Sequence, residues 1–134
     1  MGDYLMSLIK CNDIQNASGG IPTVKSQQLI PTAWINFNGT GGVIRDSENV
    51  SSLVDNGAGA YTVNFATNLA NTTYVCVGQS ANYSSQTTNV FRMSCHSRQV
   101  SNFQIANNDA AVNATSMPLL DRLSIDVVVM GGQA

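Results

Sequence analysis

The sequence predicts an all-β protein, an antiparallel β-sandwich of jelly-roll-like type that follows an extended N-terminal arm. Three observations lead to this fold class. From Thr32 onward apolar and polar residues alternate with a period of two, which is the spacing of strands that bury one face. Turn-forming residues interrupt this pattern about every 8 to 12 positions, as in sandwiches and barrels. No segment keeps the 3.6-residue spacing of an amphipathic helix.

Residues 1–31 form the predicted anchoring arm, and residues 32–134 form the predicted sandwich domain. The arm contains a short apolar stretch, Tyr4–Ile9, and then the turn-rich segment Asn16–Gly20 and two prolines. Proline and glycine at this density favour an extended connector. Because so short an arm buries little surface by itself, we expect it to dock onto a partner. The candidate anchoring residues are Tyr4, Leu5, Leu8, Ile9 and Ile14.

Strands are predicted where β-branched and aromatic residues cluster between turn residues. They cover Ala33–Phe37, Val43–Arg45, Val50–Val54, Tyr61–Phe65, Tyr74–Gly78, Val90–His96, Phe103–Ile105 and Leu123–Met130. The Asn56-Gly57 pair predicts a hairpin between its flanking strands. In Asn107–Met117 the alanines favour one helical turn, whereas Asn108, Asn113 and Pro118 favour a loop.

Two strands carry apolar residues on both faces. Leu123–Met130 begins with alternation and ends in a continuous apolar run, so we expect it to be central in its sheet or covered by another subunit. Trp34 lies on the opposite face of its strand from Ala33 and Ile35. We therefore interpret Trp34 as a core or subunit-interface residue rather than a ligand platform.

The chain is poor in ions. Only 10% of its residues are charged, against about 25% in ordinary domains, while 39 residues are Asn, Ser or Thr. Nucleic-acid binding usually needs clustered cations, and two lysines with four scattered arginines do not supply them, so we expect no nucleic-acid partner. We also expect no signal peptide and no membrane insertion, because no apolar run is long enough.

The three cysteines, Cys11, Cys76 and Cys95, are odd in number and widely spaced. This spacing fits neither a disulfide framework nor a zinc site. We interpret them as buried free thiols of a protein that folds in a reducing cytoplasm.

No catalytic constellation is recognisable, so we expect no enzymatic activity and no cofactor. His96 is the only histidine, and its neighbours Cys95 and Ser97 point to the opposite face of the predicted strand. A catalytic role would need a distant Ser or Cys, and we interpret His96 as a surface or interface residue. Asp46 and Glu48 are interpreted as part of a solvated turn, with a calcium ion as the alternative.

One polar segment is the candidate receptor-binding loop. An aromatic ring among amides and hydroxyls suits the apolar face and the hydroxyl groups of a sugar, and the alternative is an ordinary solvated hairpin. Its residues are Asn82, Tyr83, Ser84, Ser85, Gln86 and Thr87.

Two sequence blocks resemble a module that recurs in tail-fibre proteins of tailed phages. The main block reads AWINFNGTG over Ala33–Gly41 and continues through NVSSLVDNG at Asn49–Gly57 to GAYTVNF at Gly59–Phe65. The similarity extends loosely to about Val77. Upstream, the segment Asp13–Gly20 (DIQNASGG) resembles the leader that precedes this module.

The resemblance implies a structural virion protein of the short tail-fibre type, assembled in the host bacterial cytoplasm. Such modules are typically homotrimers, in which the arm attaches to another virion protein and the β-domain points outward. The implied partners are therefore copies of the chain, a tail, baseplate, collar or capsid protein, and a host-surface glycan. A capsid-decorating, collar or head-fibre protein without receptor binding is the alternative, and a polysaccharide hydrolase is a third.

Overall fold

The structure is a computed structural model, and it describes the backbone of residues 23–24, 27–28, 31–81, 89–111 and 118–132. The chain divides into two units, Met1–Ile30 and Pro31–Ala134. In the first unit, two short strands, β1 (Thr23–Val24) and β2 (Gln27–Gln28), pair antiparallel.

The second unit is built from strands alone in its described part. In chain order these strands are β3 (Ala33–Asn38), β4 (Val43–Glu48), β5 (Val50–Asp55), β6 (Ala60–Phe65), β7 (Tyr74–Ala81), β8 (Asn89–His96), β9 (Asn102–Ala111) and β10 (Ser124–Gly131). Each predicted strand is present, and two four-stranded antiparallel sheets pack together. The predicted β-sandwich is confirmed.

Sheet I has the strand order β4-β3-β10-β7, and sheet II has the order β5-β6-β9-β8. Within sheets I and II, three pairs of consecutive strands form hairpins: β3–β4, β5–β6 and β8–β9. The last strand, β10, lies between β3 and β7, so its predicted central position is confirmed.

The core lies between the two sheets and follows the predicted alternation. In β3, for example, Ala33, Ile35 and Phe37 are buried, whereas the residues between them are half-buried on the outer face. Aromatic rings join the two sheets, since Phe37 of sheet I and Tyr61 of sheet II pack edge to face with their centroids 5.0 Å apart. Edge-to-face contact places the positive ring edge against the negative ring face, so it stabilises beyond the area buried.

The hairpin predicted at Asn56-Gly57 is confirmed between β5 and β6. The Asn56 amide donates to the Ala60 carbonyl at 2.9 Å, and the Gly57 amide donates to the Asp55 carboxylate at 2.9 Å. Gly57 and Gly59 both have positive φ, at 115° and 65°, which a residue with a Cβ adopts only at a cost.

The expectation of a loop or helical turn from Asn107 is wrong for Asn107–Ala111, which continues strand β9. Pairing with β8 extends the strand, and the buried side chain of Asn107 is satisfied from both directions. Its amide donates to the Leu120 carbonyl at 2.8 Å, and its oxygen accepts from the Ser80 hydroxyl at 2.6 Å. Tertiary partners thus outweigh the low strand propensity of asparagine.

Candidate functional site

The outer face of sheet I carries a continuous group of apolar side chains. Strand register places Val128 of β10 directly between Trp34 of β3 and Val77 of β7. One step along β10 on the same face, Met130 is opposite Val75. We call these five residues the apolar outer face.

Three members of the apolar outer face are largely exposed to solvent. The exposed fractions are 67% for Val77, 55% for Val75 and 40% for Val128. Trp34 and Met130 are half-buried. Single exposed valines are common on protein surfaces, but neighbouring ones on one sheet face make this group a candidate contact surface.

A polar row borders the apolar outer face on sheet I. Register aligns Asp46, Asn36, Asp126 and Gln79 across the four strands. The Asp126 carboxylate accepts hydrogen bonds from the amide of Asn36 and, at 3.5 Å, from the amide of Gln79. The border is therefore acidic and already hydrogen-bonded, and it resembles the polar rim of a protein interface.

The outer face of sheet II has the opposite character. Register aligns Val54, Thr62, Gln104 and His96 across β5, β6, β9 and β8. The next row on this face pairs Asn64 with Ser52, and the Asn64 amide donates to the Ser52 hydroxyl at 3.0 Å. Apart from Val54, these rows carry amides, hydroxyls and an imidazole, which water solvates well.

The structure brings together apolar residues that the sequence analysis did not single out as a site. Trp34 is on the outer face, as predicted, but it is half-buried outside the core. The sequence contained a signal for two of these residues. Val75 and Val77 alternate with Cys76, so β7 carries apolar side chains on both of its faces. Only the order of strands in the sheet reveals that they lie beside Val128.

The two predicted binding regions are not among the described residues. The candidate receptor-binding residues Asn82, Tyr83, Ser84, Ser85, Gln86 and Thr87 lie outside them. The candidate anchoring residues Tyr4, Leu5, Leu8, Ile9 and Ile14 also lie outside them. Both assignments stay predictions.

His96 is an exposed strand residue, as predicted, at the end of β8. A side-chain partner of its ring is the Ser97 hydroxyl, 3.0 Å from Nδ1. This contact joins sequence neighbours at a strand end, and Ser97 has a positive φ of 48°. The pair has the geometry of a turn rather than of a buried catalytic dyad.

Asp46 and Glu48 lie in strand β4 rather than in the predicted turn. They pair with Asn36 and Trp34 of β3, and both are exposed. Among the side chains that the structure describes, no group of three or more His, Cys, Asp or Glu residues is arranged to hold a metal ion.

Cys76 and Cys95 are half-buried thiols rather than fully buried ones, and they pack against the core at the edge of the sandwich. Cys11 lies outside the described residues. In the part of the chain that the structure covers, no helix has the length and apolar character to cross a membrane.

Comparison with known proteins gives no relative: no protein-family model, no curated protein and no solved structure matches this chain.

Proposed function

We propose that this chain is a structural virion protein of a tailed phage, of the short tail-fibre type. In this proposal the N-terminal arm attaches to another virion protein, and three copies of the sandwich assemble and contribute to host-surface binding. The tail-fibre-like blocks at Asp13–Gly20 and Ala33–Phe65 support the assignment. The observation that carries the assembly is the apolar outer face of sheet I.

Assembly follows from the cost of leaving apolar surface in water. Burying apolar area stabilises by roughly 25 cal/mol per Å². The apolar outer face places three exposed valines beside Trp34 and Met130, whereas the two rows described on sheet II carry a single exposed valine, Val54, among polar side chains. A chain with this asymmetry gains free energy when a copy of itself covers the apolar side.

Sheet II forms the side of the sandwich that faces outward in this proposal, because its outer face carries mostly polar side chains. Asn, Gln, Ser and Thr side chains remain neutral at all ordinary pH values, so these side chains of the surface change little with salt or acidity. Hydroxyls and amides also suit hydrogen bonding with a glycan. The candidate loop at residues 82–87 connects β7 of sheet I to β8 of sheet II.

The proposal is tested on phage particles and on purified protein. Immunogold electron microscopy with an antibody against the sandwich domain should label the tail or baseplate, and purified protein should compete with phage for adsorption. Symmetric labelling of the head without competition would instead favour the capsid-decorating alternative. Absence of the protein from purified particles would overturn the virion assignment.

The receptor-binding part is tested separately with Tyr83→Ala. We expect loss of adsorption competition while the mass of the assembly in solution is unchanged. Ser51→Ala, at an exposed position of β5 in sheet II, is the matched control and should compete as wild type does. Unchanged competition by the Tyr83→Ala protein would remove the loop from the proposal and leave the structural role standing.

A further inference from the structure

Two thiols from different sheets meet at one edge of the sandwich. Strand β7 is an edge strand of sheet I, and β8 is an edge strand of sheet II. Cα atoms of the two strands approach within 8 Å. Cys76 is paired with the buried Val129 in sheet I, and Cys95 is paired with the buried Ile105 in sheet II, so both thiols are on the inner faces.

Contacts on both sides of the cysteines hold the two strands together. On one side, a Cβ built on Gly78 would lie 2.4 Å from Cε of Met93, so the strands are in direct contact there. On the other side, Nη1 of Arg98, which follows the end of β8, donates to the Tyr74 carbonyl at 2.6 Å. Cys76 lies between Tyr74 and Gly78 along β7.

Cys95 correspondingly lies between Met93 and Arg98 along the chain. The Cys76 and Cys95 side chains pack against the same core. The neighbouring Cys76 thiol and the positive charge of Arg98 lower the pKa of Cys95, whereas the Cys95 thiol and burial raise the pKa of Cys76. A lowered pKa increases the thiolate fraction, and the thiolate is the reactive form of cysteine.

We propose that Cys76 and Cys95 are a redox-active pair that closes into a disulfide between the two sheets when the protein meets a low-molecular-weight disulfide. The inference stands on the contact between β7 and β8 and does not rest on the proposed function. It goes beyond the interpretation of these two residues as free thiols. Disulfides that join the two sheets of a sandwich occur in immunoglobulin domains, so the architecture accommodates such a bond.

The exchange proceeds in two balanced steps with glutathione disulfide as the oxidant. The Cys95 thiolate attacks one sulfur of the oxidant, so a mixed disulfide forms and the first glutathione leaves as a thiolate. Cys76 then loses its proton and attacks the Cys95 sulfur, which releases the second glutathione. Two protein thiols are oxidised, and one glutathione disulfide is reduced to two glutathione thiols.

The bond would connect the strands on either side of the candidate receptor-binding loop. A disulfide between Cys76 and Cys95 lowers the conformational entropy of the unfolded chain, and this raises the free energy of unfolding. Both cysteines are half-buried at the edge of the sandwich rather than fully enclosed in its core. A protein made in a reducing cytoplasm would acquire this bond only after release into an oxidising medium.

The test uses the full chain with Cys11→Ala, so that only the pair remains. After incubation with glutathione disulfide, alkylation and trypsin digestion without reductant, we expect peptide 46–92 linked to peptide 93–98. Cleavage after Arg45, Arg92 and Arg98 places the two cysteines in different peptides. The midpoint of thermal unfolding should rise by about 10 °C, and reductant should reverse the rise.

Cys76→Ser and Cys95→Ser, each with Cys11→Ala, are the matched controls, and neither should form linked peptides or gain thermal stability. Full alkylation of both cysteines after oxidation would overturn the proposal. A stable glutathione adduct on Cys95 in the presence of Cys76 would overturn it as well, because the second step would then be blocked. A linked pair with a lowered unfolding midpoint would also overturn it, because the native strands would then not accommodate the bond.

Discussion

The hydroxyl of Tyr61 donates a hydrogen bond at 2.5 Å to Oδ1 of Asp121, which lies 60 residues further along the chain. The same carboxylate oxygen accepts from the backbone amide of Gly59 at 2.6 Å. Asp121 therefore connects the segment before β10 to the β5–β6 hairpin. Tyr61 is completely buried, so its hydroxyl has no access to water that could replace this partner.

Replacement of Asp121 by alanine should destabilise the domain by roughly 2–4 kcal/mol. The substitution leaves the Tyr61 hydroxyl and the Gly59 amide without their acceptor, and a buried donor without a partner costs its full desolvation. Urea unfolding followed by tryptophan fluorescence measures the change. Asp46→Ala, at an exposed position in β4, is the control and should stay within about 0.5 kcal/mol of wild type. Equal stability of the two variants would contradict the role given to Asp121.

Stability should fall as the pH rises above 10. Burial raises the pKa of Tyr74 from 10.0 to about 12, and burial together with the Asp121 hydrogen bond raises the pKa of Tyr61 further. Above pH 10 the unfolded chain releases these tyrosine protons while the folded chain keeps them, so unfolding becomes more favourable. The loss is up to about 1.4 kcal/mol per pH unit for each tyrosine.

Urea unfolding between pH 8 and pH 11 measures this loss of folding stability at alkaline pH. Tyr74→Phe should unfold more easily at pH 8, because Tyr74 donates to the Gln99 and Asn102 carbonyls at 3.0 and 3.1 Å. It should nevertheless lose less stability than wild type between pH 10 and pH 11. If the free energy of unfolding fell equally with pH in the two proteins, Tyr74 would have the same pKa in the folded and unfolded chains. That result would refute the role of Tyr74 in the alkaline loss of stability.

Gly59→Ala should be among the most damaging single substitutions, at about 3 kcal/mol or more. Gly59 has a positive φ, and an added Cβ would lie 2.5 Å from both the Asn107 carbonyl oxygen and the Leu120 amide nitrogen. These are backbone atoms of two other segments, so neither can move aside cheaply. Gly41→Ala is the matched control, because its Cβ would meet nothing closer than 3.5 Å. Thermal unfolding measures both variants, and a Gly59→Ala protein as stable as Gly41→Ala would contradict the packing described.

Val77→Lys should dissociate the proposed assembly without unfolding the domain. Val77 is 67% exposed and is the most exposed member of the apolar outer face. Water can solvate a lysine at this position when the face is open, but a second copy covering the face would bury its charge. We expect at least a tenfold weaker self-association, equivalent to about 1.4 kcal/mol, in sedimentation equilibrium. Val54→Lys, on the outer face of sheet II with 45% exposure, should assemble as wild type does. A monomeric wild-type protein at high concentration would end the assembly proposal.

The strands themselves could be predicted from the sequence because alternation is a local property of the chain. Ala33, Ile35 and Phe37 are buried as their spacing requires, and Asn56-Gly57 forms its hairpin with neighbours only a few residues away. The sequence-based prediction is wrong at Asn107 because residues distant in the sequence determine the backbone conformation there. Asn107 continues a strand because Ser80 and Leu120 satisfy its side chain, and neither partner is near it in the sequence.

The sequence by itself determined the all-β class, the position of the strands, the central character of the last strand and the scarcity of charge. The tertiary structure alone decided that Val75, Val77, Val128 and Trp34 share one outer face, and that Cys76 meets Cys95. The physical reason is that a period of two assigns each side chain to one of two faces but does not specify which strands become neighbours. That choice depends on how the two sheets pack and on the connections between them, so adjacency across strands appears only in the folded chain.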